Sequence, residues 1–306
     1  MTTNNEPQKN GDNEYPPWIQ DFGINEIWKK TKGKGVTVIT LDSGFTSCPD
    51  FPNNNVKIEQ ISSFDNGVDN YYHGTLMASI IAGVGHDIYG IAPSCNIISI
   101  KIFNNNDVSI SSDTIIQGLN KIKNLINNNE LFIVNCSFDG IFPENESTII
   151  QNTINEISSE KRVIFVAAVG NESIYKDIDI IPARLDNVIS VAALSKNSND
   201  YQRLTSSNYW EGIDLTCPGE FDSLLLQNKF KDQYISQGSS HACAFASGLI
   251  ALFLSHNNSE RPLINAVKLF LNDCSINKTQ DTNVGNIGSF QYKIPSKDKL
   301  INYFKS

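Results

Sequence analysis

The chain has 306 residues, 40% of them hydrophobic and 19% charged, a globular composition that excludes a disordered protein. The net charge is −9 and no block of lysine and arginine occurs, so a nucleic-acid or anionic-membrane partner is disfavoured. The longest nearly apolar stretch, residues 242–254, is too short to cross a bilayer, and no membrane span is expected.

The N-terminal residues form a polar segment that ends at Pro16-Pro17. Residues 1–13 lack the basic and apolar regions of a secretory signal, which predicts a cytoplasmic protein, or a secreted one if the chain is a processed form. We expect residues 1–23 to be a short extension. Residues 24–306 are expected to form the main folded domain, with a C-terminal tail from about 276.

Beyond this extension, β-branched runs alternate with helical patterns. Strands are predicted at residues 36–41, 96–102, 131–134, 163–168 and 188–193. Helices are predicted at residues 74–82, 112–125 and 147–158, with a long apolar helix ending at 254. This alternation predicts an α/β fold, a three-layer, doubly wound and mainly parallel sheet flanked by helices. Reactive side chains are then expected at the carboxyl ends of the strands.

Six cysteines are scattered along the chain without a C-x-x-C pair or zinc-site spacing. We therefore predict free, buried thiols rather than a disulfide framework.

Three short segments each place a reactive side chain beside a predicted strand end or helix start. Asp42 ends the first strand in Leu-Asp-Ser-Gly, His73 opens a helix in His-Gly-Thr, and Ser240 opens the long apolar helix. Each residue alone is an ordinary turn or capping residue, since serine is a preferred helix N-cap. Together they supply the acid, base and nucleophile of acyl transfer.

The order Asp, His, Ser, with these local motifs, resembles the subtilisin-like serine proteases (subtilases) over about residues 24–275. Asp42 is similar to the aspartate of D-[ST]-G, His73 to the histidine of H-G-T, and Ser240 to the serine of G-T-S-M-A. Asn171, in Ala-Ala-Val-Gly-Asn, resembles the oxyanion-hole asparagine. The resemblance implies a subtilisin-like fold and an Asp42-His73-Ser240 triad. It also implies an endopeptidase that forms an acyl-enzyme on peptide or protein substrates, with maturation of a specific precursor as its expected role.

The nucleophile segment departs from the family pattern, because Ser239 replaces threonine and His241 replaces methionine. The His241 imidazole either tunes the leaving-group side of the reaction or only fills space beside Ser240, and the second interpretation is favoured. The same departures support an alternative function, a catalytically silent subtilase-fold module that binds peptides.

The resemblance also implies a cleft in which an extended peptide pairs with backbone edges. The expected substrate-binding residues are Ser137, Phe138, Asp139, Ala168, Val169, Gly170, Asp107, Val108 and Ser109. Asp139 stands where glycine is usual and Glu172 follows Asn171, which favours a basic residue before the scissile bond (P1). In the alternatives, both carboxylates face solvent, or Ile180 makes the pocket shallow and apolar.

No cofactor is expected to be required. Asp50 resembles a calcium ligand of the family, but the loop at 83–89 is shortened, and one carboxylate falls short of the six or more oxygens that calcium takes.

About 23 residues precede the catalytic domain, and an extension of this length resembles the intracellular branch of the subtilases. The segment around Tyr15 and Trp18 is expected either to pack on the body or to lie across the cleft as a latch.

Overall fold

A parallel sheet forms the centre of the fold. The computed structural model describes residues 15–52, 56–61, 66–85, 88–103, 110–126, 130–159, 162–174, 178–198, 200–222, 235–257, 263–282 and 288–305. Asp107, Val108 and Ser109 lie outside these residues. The strands of the central sheet are β1 (Val36–Asp42), β2 (Val56–Glu59), β3 (Asn96–Lys101), β4 (Leu131–Cys136), β5 (Val163–Ala168), β6 (Val188–Asn197), β7 (Asp200–Arg203) and β8 (Leu215–Pro218).

The strand order is β2-β3-β1-β4-β5-β6-β7, with β8 also paired to β6. All of these pairs are parallel except β6–β7. Every residue of β1 and β5 is buried, as expected of strands covered on both faces. The predicted α/β fold is confirmed.

Helices cover both faces of the sheet. They are α1 (Pro17–Gln20), α2 (Ile24–Ile27), α3 (His73–Ala82), α4 (Ser112–Leu125), α5 (Glu144–Ser159), α6 (Ser239–His256), α7 (Leu263–Asp273) and α8 (Lys297–Lys305). Side chains of α3 and α6 belong to one buried cluster, and those of α4 and α5 belong to a second. Within the described residues, no helix is long and apolar enough to span a membrane.

Two short antiparallel ribbons complete the described elements. They are β9 (Glu220–Asp222) with β10 (Ile235–Gln237), and β11 (Ser275–Thr282) with β12 (Gly288–Pro295). The C-terminal residues pack into the body, since Leu300 and Phe304 of α8 are buried. All six cysteines are free and buried, which confirms that prediction.

The described part of the N-terminal extension packs on the body. The Tyr15 ring contacts those of Trp28 and Tyr89, with centroids 5.5 and 5.3 Å away. Trp18 contacts Phe221 at 4.9 Å and donates a hydrogen bond to the Tyr89 carbonyl. These contacts favour packing over a latch for residues 15–20.

Candidate active site

Asp42 and His73 meet where β1 ends and α3 begins. His73 Nδ1 lies 2.8 Å from Asp42 Oδ1, which also accepts the Ser43 backbone N–H at 2.7 Å. The two elements approach closely because residue 74 is glycine, whose Cβ would collide with the carbonyl oxygen of Gly44. Asp42 is fully buried, whereas the His73 side chain is 36% exposed. The structure thus pairs a buried carboxylate with an imidazole that solvent can reach.

The surroundings of His73 raise its pKa above the ordinary value of 6.5. Burial alone would lower this pKa, but the charge and hydrogen bond of Asp42, together with the charge of Asp69, outweigh it. The imidazolium form is therefore stabilised relative to free histidine. A reaction that needs the neutral imidazole is expected to slow as the pH falls through this raised pKa.

Ser240 lies in the first turn of α6 and is bound to the end of β4. Its hydroxyl donates to the Ser137 carbonyl at 3.0 Å, and the Ser137 hydroxyl donates to the Ser240 carbonyl at 2.9 Å. Among the described residues, no hydrogen bond joins Ser240 to His73. The hydroxyl therefore has to exchange the Ser137 carbonyl for the imidazole before it can lose a proton to His73.

Asn171 is oriented by the residue that precedes Ser240. Its Oδ1 accepts the Ser239 backbone N–H at 2.8 Å. Ser239 Oγ in turn accepts the Gly170 N–H at 3.1 Å. With its oxygen engaged at the helix start, the Asn171 side chain keeps its NH₂ group for another acceptor. The Ser239 hydroxyl, which replaces that of threonine, thus joins the segment that carries Asn171 to the start of α6.

His241 is buried behind the candidate catalytic residues. It is 3% exposed, its Nε2 lies 2.7 Å from Ser236 Oγ, and its ring stacks on Phe221 at 6.1 Å. Its ring centroid lies 6.3 Å from that of His73. Burial, and then the charge of His73, lower its pKa to about 3, so it is neutral near pH 7. These contacts favour the space-filling interpretation of His241.

Two carboxylates converge beside Gly170. Asp139 Oδ2 and Glu172 Oε2 each lie 2.7 Å from the position of a Cβ on Gly170, so they are no farther apart than twice that distance. Glu172 Oε2 is held by Asn208 Nδ2 at 2.6 Å and by the Asn171 N–H at 3.0 Å. Burial, and then the charge of Glu172, raise the pKa of Asp139 to about 6. Among the described residues, no lysine or arginine forms an ion pair with Asp139 or Glu172, so the pair is a negatively charged site within that part of the chain.

The remaining predicted substrate-binding residues that the structure describes are buried. Ser137 and Phe138 are 3% and 5% exposed, and Ala168 and Val169 are fully buried. Both backbone groups of Val169 are used within the protein, by Val191 and Asn208. Ile180 is also buried. The substrate-binding set stays a prediction, and its members at 107–109 lie outside the described residues.

Asp50 lies between β1 and β2 in the chain, is buried, and contacts the loop that follows α3. Its two carboxylate oxygens lie 3.2 and 3.3 Å from the Ile88 amide nitrogen, which donates to them. No group of three His, Cys, Asp or Glu side chains in the described ranges is arranged to hold a metal ion. Residues 86–87 of this loop lie outside the described residues, so the resemblance of Asp50 to a calcium ligand stays an expectation.

Sequence reasoning missed Asp69 and Asn208. Asp69 accepts hydrogen bonds from the turn that carries His73, and Asn208 holds the segment around Asn171 and Glu172. A signal for Asp69 was available, because aspartate shortly before a predicted helix start indicates a cap. Asn208 has no comparable signal, since its partners are distant in sequence.

Comparisons with known proteins agree with this geometry. A model described as the subtilase family (peptidase S8) matches residues 33–286. M-protease of Shouchella clausii (strain KSM-K16) is 31% identical over 235 residues, which cover 74% of this chain and 56% of M-protease. The major intracellular serine protease of Bacillus subtilis (strain 168) is 29% identical, over 80% of this chain and 76% of that protein. The solved structure of the prenylagaramide maturation protease PagA has a similar fold, with a TM-score of 0.68 at 21% identity, over 92% of this chain and 98% of that one.

Proposed function

Because the chain belongs to the subtilase family, we propose that it is a serine endopeptidase in which Asp42, His73 and Ser240 form the catalytic triad. The observation that carries this proposal is the Asp42–His73 hydrogen bond of 2.8 Å, beside the helix start that bears Ser240. Asp42 holds Nδ1 as the protonated nitrogen, which leaves Nε2 free to accept a proton.

The reaction follows from these positions. His73 accepts the Ser240 hydroxyl proton as the oxygen attacks the peptide carbonyl carbon, and a tetrahedral intermediate forms. The imidazolium then gives that proton to the leaving amine, the C–N bond breaks, and an acyl ester remains on Ser240. His73 then deprotonates a water that attacks the ester, and the imidazolium returns that proton to the Ser240 oxygen as the ester C–O bond breaks and the acid product leaves. Asp42 stabilises the imidazolium in both halves of the reaction.

The negative charge of the intermediate needs hydrogen-bond donors. Asn171 can supply its NH₂ group, since its Oδ1 is engaged by Ser239. The Ser240 backbone N–H is a second donor, because it lies in the first turn of α6 where no intrahelical acceptor exists. The positive end of the α6 dipole acts in the same direction.

Replacing Asn171 with alanine is expected to lower kcat by about 10²–10³-fold with little change in KM, a magnitude taken from subtilisin, a member of this family. The physical reason is that the amide donates to an oxyanion that exists only in the transition state. Steady-state kinetics on a chromogenic peptide would measure it. Asn187→Ala, at a distant asparagine that donates to Asn155, is the matched control. Equal kcat values for the Asn171 variant and wild type would remove Asn171 from this role.

For the substrate we propose a lysine or arginine at P1, bound by Asp139 and Glu172. Glu172 follows the proposed oxyanion residue directly, and Asp139 lies two residues after Ser137, the hydrogen-bond partner of Ser240. No hydrogen bond to the Asp139 carboxylate is made within the described residues. A substrate cation would balance this pair.

Asp139→Asn is expected to reduce the preference for arginine over leucine at P1 by about tenfold, because a partly buried charge pair is worth more than the ~1 kcal/mol of an exposed one. In wild type the preference should also weaken as the pH falls through about 6, where Asp139 takes up a proton. The ratio of kcat/KM values for paired Arg and Leu peptides measures this, since the ionisation of His73 cancels. Asp113→Asn, at an exposed residue of α4, should leave the ratio unchanged. A wild-type preference for leucine would refute the proposal.

We propose maturation of a specific precursor as the biological role. PagA, which shares the fold, is itself a maturation protease, and this likeness supports the proposal. A cytoplasmic location also stays a prediction, which cell fractionation would test.

The silent peptide-binding module stays an alternative, because the Ser240 hydroxyl is bound to Ser137 rather than to His73. Fluorophosphonate treatment of the full chain distinguishes the two functions. An adduct located on Ser240 by mass spectrometry is expected, and its absence would favour the silent module.

A further inference from the structure

Asp69 is a buried carboxylate outside the proposed triad. It is 1% exposed and accepts five hydrogen bonds. Oδ1 accepts from the Ser43 hydroxyl at 2.9 Å and from the backbone N–H groups of Tyr71 and Tyr72 at 3.0 and 2.8 Å. Oδ2 accepts from the N–H and the hydroxyl of Thr75, both at 2.8 Å. Both oxygens of the Asp69 carboxyl group are thus engaged as acceptors only.

These bonds surround His73 on both sides along the chain. Tyr72, directly before His73, has the left-handed φ of 65°, a conformation that tyrosine adopts only where its surroundings hold it. Asp69 supplies that restraint, because it binds the N–H groups of Tyr72 and Thr75 at once. The carboxylate therefore sets the direction in which the helix presents its first side chain.

Ser43 connects Asp69 to Asp42. The Ser43 hydroxyl donates to Asp69, lies 3.2 Å from Asp42 Oδ1, and accepts the Gly74 N–H at 2.9 Å. One hydroxyl thus joins the end of β1 to the start of α3. The Asp42–His73 distance depends on this junction as well as on the two residues themselves.

The charges around His73 make Asp69 more than a structural cap. In the described part of the chain, His73 faces Asp42 from β1, Asp69 from the preceding loop and the neutral His241 from α6. A cation also lies beside the Asp69 segment, because the amine of Lys101 of β3 binds the carbonyl of Val68, the residue before Asp69. The charge of Asp69 favours the imidazolium form of His73.

We propose that Asp69 is a positioning residue for His73, which fixes the imidazole against Asp42 and stabilises its protonated form during catalysis. This inference rests on the proposed function, in which His73 is the general base.

Asp69→Asn in the full chain tests the proposal, because asparagine also caps helices but carries no charge. The pH dependence of the fluorophosphonate inactivation rate gives the first readout. We expect a plateau about tenfold lower and an acidic limb shifted about half a pH unit downward, since a negative neighbour has been removed. An NMR titration of the His73 ring should show the same shift. An unchanged plateau together with an unchanged limb would overturn the proposal.

Thr75→Val is the matched control, since it removes the hydroxyl that donates to Asp69 and accepts the Thr46 N–H, and it removes no charge. It should lower the thermal midpoint of unfolding and leave the acidic limb in place. If it moves the limb as far as Asp69→Asn does, the charge of Asp69 has no separate role. Should Asp69→Asn not fold, Ser43→Ala is expected to lower the plateau, and an unchanged plateau would overturn the link. Wild-type chain that resists labelling would refute the proposed function instead, and the NMR titration would still decide the influence of Asp69 on His73.

Discussion

Replacing Ser240 with alanine is expected to lower peptide hydrolysis by about 10⁶-fold and to abolish fluorophosphonate labelling, a magnitude taken from subtilisin, a member of this family. The reason is that the acyl ester forms on this oxygen, and no other hydroxyl occupies the same place at the start of α6. The neighbouring Ser239 is fully buried and its Oγ is bound to Gly170. The measurements are kcat/KM on a peptide that wild type cleaves, and the mass of the labelled protein.

Ser247→Ala is a suitable control for this change. Ser247 lies in the same helix, is fully buried and donates to Asn135 Oδ1 at 3.0 Å. It should keep full labelling. An adduct that persists in Ser240→Ala would show that another residue is the nucleophile, and the proposed triad would have to be abandoned.

Asp42→Asn is expected to lower kcat by about 10⁴-fold near neutral pH, in line with the same change in another serine protease. In the wild-type protein, Asp42 accepts a hydrogen bond from Nδ1 of His73. An asparagine NH₂ at this place would donate to Nδ1, and the ring proton would move to Nε2, which could then no longer accept the serine proton. The loss should be measured as kcat with saturating peptide, together with the NMR signal of the remaining ring N–H.

The control for Asp42→Asn is Asp113→Asn, which removes an exposed carboxylate from the first turn of α4 and should leave kcat unchanged. A thermal unfolding scan should show that the Asp42 variant keeps its fold. Wild-type kcat in a folded Asp42→Asn protein would mean that His73 is oriented by other groups.

Much of the secondary structure could be predicted because it is encoded locally. Helix α4 and strand β5 coincide with the predicted residues, since the stripe of Ile115, Leu119 and Ile122 identifies the helix and an unbroken apolar run identifies the strand. The ribbon of β11 and β12 was not predicted. Its first strand is polar, and its pairing with β12 depends on partners that lie across the ribbon.

The candidate site, too, could be predicted only in part from the sequence. Short motifs predicted Asp42, His73, Ser240 and Asn171, because each of them follows a strand or opens a helix. The structure places Asp42 at the end of β1, His73 at the start of α3, Asn171 after β5 and Ser240 in the first turn of α6. The direction of the Ser240 hydroxyl and the five hydrogen bonds of Asp69 were not predicted. These depend on groups that folding brings within hydrogen-bond distance from separate segments. The sequence by itself therefore determined the family and the sheet, and it identified the candidate reactive residues, through patterns a few residues long. Only the tertiary structure decided their orientation and charge environment, since those arise from contacts between residues far apart in the chain.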